Sequence, residues 1–156
     1  MKRAIMMLTI GLVVAAFALA AFAQEKATKD EVMAKVKEAI KLAQDKGLEE
    51  AIKQVGDPKS AFTWKDSYVF AVDFEKQMVV AHPEKPALVG KNLMGLKDVD
   101  GKLFFAEFMN VAKEKGEGWV SYKWPKPGAT DPSPKETYVL AVPGAKVFMA
   151  AGVYTD

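Results

Sequence analysis

Apolar residues change their period three times along the chain, and each change marks a change of element. Val32, Val36, Ile40 and Ala43 recur at steps of four and three, with lysines and glutamates filling the opposite face, which is the pattern of an amphipathic helix. Thr28 followed three residues later by Glu31 is a capping-box signature, so the helix is expected from about Lys29 to Lys46. Gly47 then offers a left-handed cap, and Leu48 to Val55 adds a short helical piece stopped by Gly56, Asp57 and Pro58. The charged face is read as a solvated helix surface.

Beyond Pro58 the period becomes that of strands. Tyr68 to Val72 is an apolar, β-prone run, Asp73 to Gln77 can turn, and Met78 to Ala81 returns, giving a hairpin that His82 and Pro83 end. Proline restricts its predecessor, which places His82 at the strand edge or in the following loop. Glu84 to Lys102, with Pro86, Gly90, Gly95 and Gly101, reads as a long structured loop. Leu103 to Lys115 regains helical spacing and ends at Gly116. Two strands follow at Gly118 to Trp124 and Glu136 to Val142. Between them Lys126 to Pro134 is proline-rich and is expected to be a rigid connection, not a strand. Pro143 and Gly144 turn the chain into a last strand, Lys146 to Tyr154. The sum is an α+β domain with a long N-terminal helix, five antiparallel strands and one inserted helix between the second and third.

Composition narrows the chemistry. There is no cysteine and a single histidine, His82, which removes disulfides and cysteine-ligated metals and leaves little for a histidine metal site. Asp98 and Asp100 before Gly101 lack the later glutamate of a calcium loop and are read as turning the chain into the next helix, so no metal and no cofactor is expected. Lys2 and Arg3 precede an uncharged run to Ala23 that closes with Ala21, Phe22 and Ala23, the small-residue pattern of a signal-peptidase site. Residues 1–23 are therefore read as a cleaved leader and 24–156 as one domain, periplasmic or secreted. The alternative is an uncleaved helix anchoring the domain to the inner membrane. Without the leader the 22 Lys and Arg fall to 20 and balance the 20 Asp and Glu, so no nucleic-acid footprint remains. Arg3 is the only arginine, so any anion has to be met by lysine or backbone. No nucleophile–base pair and no phosphate loop are evident, which argues against an enzyme.

Several runs in order resemble one family. Tyr68-Val69-Phe70-Ala71-Val72-Asp73, Ala81-His82-Pro83, Leu88-Val89-Gly90-Lys91-Asn92-Leu93, Gly116 to Pro125, Lys135-Glu136-Thr137-Tyr138 and Ala151-Gly152-Val153-Tyr154 are similar to motifs of the extracellular single Cache domain of the type 2 class. The resemblance implies a PAS-like fold, with a pocket on the sheet face opposite the long helix. It further implies a sensory module for short carboxylic acids such as acetate, propionate, lactate or pyruvate. The sequence ends at Asp156 without a second membrane segment or an output domain, so the expectation is a binding or sensing domain without signalling of its own. The alternative is an interaction module that docks on a membrane sensor or transporter.

Candidate ligand residues combine both kinds of argument. His82 is the only histidine, titrates near neutral pH, and the resemblance puts the His-Pro pair beside the pocket. Strand alternation sets Tyr122 and Trp124 on one face and Trp119 on the other unless Gly116 and Gly118 introduce a bulge. By the same alternation only one of Lys135 and Tyr138 points inward. Lys135, supported mainly by the resemblance, is the countercharge, and Tyr122 and Tyr138 are the hydroxyl donors. Phe70, Tyr68 and Met94 complete an apolar wall.

Overall fold

The computed structural model describes residues 24–156, so the expected leader at 1–23 lies outside the described residues. Helix α1 spans Lys29–Lys46 and begins as its sequence dictates. The Thr28 hydroxyl accepts from the Glu31 N–H at 3.2 Å, and the Glu31 carboxylate accepts from the Thr28 N–H at 2.9 Å. Gly47 ends it with φ 94° and ψ 152°, a region open to little besides glycine, in place of the left-handed cap expected there. Helix α2, Leu48–Gly56, follows at once.

Strands β1 (Thr63–Trp64), β2 (Ser67–Asp73) and β3 (Met78–Ala81) precede helix α3 (Phe104–Asn110). Strands β4 (Glu117–Pro125), β5 (Pro132–Ala141) and β6 (Val147–Tyr154) close the chain. All pairings are antiparallel, in the order β1-β2-β6-β5-β4, with β3 sharing the outer edge of β2 beside β1. The sheet thus has six strands against the five expected. β1 is the addition, and two residues are too few to show a period. The stretch Val111–Lys115 continues α3 as a wider π-turn, closed by Gly116 at φ 78°. The loop from Glu84 to Lys102 holds only the single 3-10 turn Pro86–Leu88.

The proline-rich stretch is not all connection. Pro132, Ser133 and Pro134 belong to β5 and pair with Pro125, Trp124 and Lys123 of β4. The ladder to β6 starts only at Lys135 opposite Tyr154. The Pro134 carbonyl accepts from the Thr155 N–H at 3.0 Å, so the missing proline donor points to the side where β6 has run out.

Alternation along the strands builds two cores, one on each face of the sheet. Val69, Ala71, Tyr138, Met149, Ala151 and Val153 meet the buried side of α1, formed by Val32, Val36, Ala39, Ile40 and Ala43. On the opposite face Tyr68, Phe70, Val72, Val120, Tyr122, Phe148 and Ala150 meet α3 and the long loop. The Asp98 carboxylate does not cap α3, whose N-cap is Leu103 with no side-chain bond. It accepts instead from the N–H groups of Asp100, Lys102 and Lys123 at 2.9–3.0 Å and pins the loop to the β4 edge. No helix of the described residues is long and apolar enough to cross a membrane.

Candidate functional site

The face away from α1 carries a small cavity. Tyr68 and Phe70 of β2 and Tyr122 and Trp124 of β4 contribute from the sheet, and Phe104, Phe105 and Phe108 of α3 from one side. Val79, His82, Leu88 and Leu93 complete it from β3 and the loop beyond. Its interior open to the centre of a water molecule is about 20 Å³, room for little more than one water. A second, polar hollow of about 50 Å³ shares Tyr68 and lies between Glu84, Lys85 and the 125–129 loop.

Lys135 is the charged group of this face. It is 2% exposed. Its Nζ donates to the Tyr68 hydroxyl at 3.2 Å and lies 4.4 Å from the Tyr68 ring centroid and 4.9 Å from that of Tyr154. Among the described residues no carboxylate stands within 4.0 Å of it. Ring faces and one neutral hydroxyl replace only part of an ammonium's hydration. Burial accordingly pulls the amine down to about 7, with Lys85 pushing the same way and Asp66 and Glu84 opposing.

His82 is also buried, stacked on Phe70 at 5.7 Å and tilted against Tyr68 at 4.9 Å. Its Nδ1 accepts from the Lys85 N–H at 3.0 Å, which assigns the neutral ring's proton to Nε2. Burial, then Lys135 and Lys85, hold it down to about 3. The expectation of a histidine titrating near neutral pH is corrected: the ring is held as a neutral imidazole with its proton on Nε2. Tyr122 stacks on Phe104 at 4.4 Å, and its hydroxyl meets Thr137 Oγ1 at 3.0 Å. Burial raises the hydroxyls of Tyr68, Tyr122 and Tyr154, so all three stay protonated donors. The Tyr154 hydroxyl donates to the Pro125 carbonyl at 2.7 Å and ties β6 to the loop over the second hollow.

The structure brings Tyr68, Phe70, His82, Tyr122 and Trp124 together around the cavity, sets Lys135 behind Tyr68, and leaves three expected residues out. Trp119 lies on the α1 face, 5.4 Å from the Tyr138 ring and under the Lys29 ammonium, because β4 alternates without a bulge at Gly118. Tyr138 is three residues from Lys135 and so on the α1 face as well. Its hydroxyl donates to Glu117, and burial with that carboxylate raises its pKa. Met94 packs near the pocket-side core, but its N–H is held by Asn92 Oδ1 at 2.9 Å and Leu93 lines the cavity in its place. The sequence reading missed Phe104, Phe105 and Phe108, whose helical spacing looks like ordinary core, and Tyr154, which joins Lys135 only through the β5–β6 register. Among the described residues no group of three or more acidic, histidine or cysteine side chains could hold a metal.

The chain is similar to known proteins in sequence and in fold. The family model described as Cache domain matches residues 21–156. The methyl-accepting chemotaxis protein McpP of Pseudomonas putida is 34% identical over 91 residues, 58% of this chain and 16% of that protein. The sensor histidine kinase MctS of Rhizobium johnstonii is 34% identical over 92 residues, 59% of this chain and 20% of that one. The chain thus spans a fifth or less of these relatives. A solved domain described under "Structural basis for carboxylic acid recognition by a Cache chemosensory domain" superposes with a TM-score of 0.69 at 29% identity, covering 81% of this chain and 92% of that one.

Proposed function

Because the chain belongs to the Cache domain family, we propose that it is an extracytoplasmic sensory or binding domain whose pocket takes a short monocarboxylic acid as its anion. The observation that carries this reading is the Lys135 ammonium, buried against two tyrosine rings with no acidic partner among the described residues. A ligand carboxylate supplies the missing charge and accepts from Lys135, from the hydroxyls of Tyr68 and Tyr122, and from His82 Nε2. Its tail then lies on Phe104, Phe105 and Phe108, which favours a short apolar chain over a second charged group. Acetate, propionate, lactate and pyruvate fit this description, and the solved relative described as recognising carboxylic acids supports the same class. The two relatives named for chemotaxis and histidine-kinase sensing support a role in signal reception.

Thermal melting of the purified protein with each acid, and with propionamide as the uncharged isostere, tests the reading. Binding raises stability by about 2.7 kcal/mol at a hundred times the dissociation constant. The acids should shift the melt, propionamide should not, and the shift should vanish in Lys135→Met. No shift with any acid, or an equal shift with propionamide, sinks the reading.

A further inference from the structure

Lys135 belongs to β5, yet its ammonium ends beside a hydroxyl of β2, and β6 runs between those strands. Two strand spacings are about 10 Å, so the lysine stem has to lie flat over the middle strand. Side chains of that strand stand perpendicular to the sheet and would block the path. The position crossed is Gly152. It pairs with Thr137 of β5, and the β2–β6 register, which matches Val69 to Ala151, brings Tyr68 opposite it on the other side.

A Cβ at Gly152 would come within 2.5 Å of Lys135 Cε, 2.5 Å of Thr137 Oγ1 and 2.9 Å of the Glu136 carbonyl oxygen. Every other residue of β6 carries a side chain. Gly152 is not among the glycines with positive φ, so its backbone conformation is open to any residue and cannot be why glycine stands there. A glycine inside a strand weakens it and marks a close approach.

We infer that Gly152 is a positioning residue for the anion site, a notch in β6 through which the Lys135 stem reaches Tyr68 and beside which Thr137 holds the Tyr122 hydroxyl. One missing side chain thereby sets two of the pocket's polar groups. The inference rests on the carboxylate reading only in its binding readout; its structural readout stands apart.

The test is Gly152→Ala in the full chain. Calorimetry with acetate and propionate should show at least a tenfold loss of affinity. The Lys135 side-chain resonances should titrate closer to an ordinary lysine, because the displaced ammonium regains water. The cost of Gly152→Ala in urea unfolding should shrink when Lys135→Ala and Thr137→Ala have removed the two closest contacts and left only that to the Glu136 carbonyl, and if Gly152→Ala alone fails to fold, the triple variant should recover folding. An unchanged Lys135 titration, an equal unfolding cost in both backgrounds, or no recovery overturns the inference. Should the unaltered protein bind no acid, the functional reading falls, while titration and unfolding still decide the notch.

Discussion

The Lys135 amine is buried, has no carboxylate within 4.0 Å among the described residues, and is pulled down to about 7, into the range where pH matters. Around Lys135 Nζ stand the neutral hydroxyl of Tyr68, the ring of Tyr154 and the neutral ring of His82. Lys85 opposes its charge, and Asp66 and Glu84 support it. With the amine at about 7, an acid that binds the ammonium form must bring a proton with it once the pH exceeds that value. The acid itself stays ionised throughout, so affinity should be flat below about pH 7 and fall about tenfold per pH unit above it. Calorimetry from pH 6 to 9, in buffers of differing ionisation heat, should show that slope and the proton uptake; equal affinity at both ends refutes it. His82 acts on stability instead. Its folded pKa of about 3 lies below the 6.5 of an ordinary histidine, so above 6.5 neither state is protonated and no penalty applies. As pH falls from 6.5 toward 3 only the unfolded chain takes the proton, and stability is lost. His82→Asn, which keeps an acceptor for the Lys85 N–H, should flatten that acid limb by about 2 kcal/mol near pH 5, read from urea midpoints. A limb of unchanged depth argues against the buried neutral ring. At this scale alternation alone places Tyr122 and Trp124 together and sends Trp119 away. Nothing in composition separates Lys135 from the other lysines of the domain, and only the resemblance singles it out.

Local patterns carry most of the elements, since each depends on residues close in sequence. The capping box at Thr28 and Glu31 is readable as four letters, and the structure forms both of its hydrogen bonds. Glu31 also pairs with Lys65 at 2.7 Å, which ties the start of α1 to the β1–β2 turn. Thr28→Ala should therefore lower stability by about 1 kcal/mol, measured by urea unfolding. Acid affinity should stay within twofold, because α1 and the pocket occupy opposite faces of the sheet; a large affinity loss would put the pocket on the wrong face. What the local pattern could not give is whatever another strand decides. Pro132 to Pro134 reads as a loop because proline cannot donate to a ladder, and it is a strand because β6 ends before reaching it. Gly152 reads as a weak point of the last strand, and its use appears only when Lys135 is brought alongside.

In the whole molecule the sheet separates two packed faces, one against α1 and one against α3 and the long loop. Against α1 the packing is a continuous apolar core, and among the described residues the larger hollows on that face are shallow surface features. On the other face the cavity leaves only about 20 Å³ open to the centre of a water molecule, room for little more than one water and too little for acetate. Binding therefore requires displacement of something, and the candidates are unequal. β2, β6 and β5 are hydrogen-bonded on both edges and carry both cores. The segment Glu84 to Lys102 has one short 3-10 turn, its backbone bonds are mostly within itself and reach the sheet only at Val79, and it brings Leu88 and Leu93 to the cavity. Opening and reclosing of that segment over the ligand should appear in hydrogen exchange. Amides of residues 84–102 and of α3 should slow when propionate is added, while those of Lys29–Lys46 keep their rates. Slowing confined to α1 would mean that the acid occupies the helix face, and Lys135 would then need another explanation for its burial.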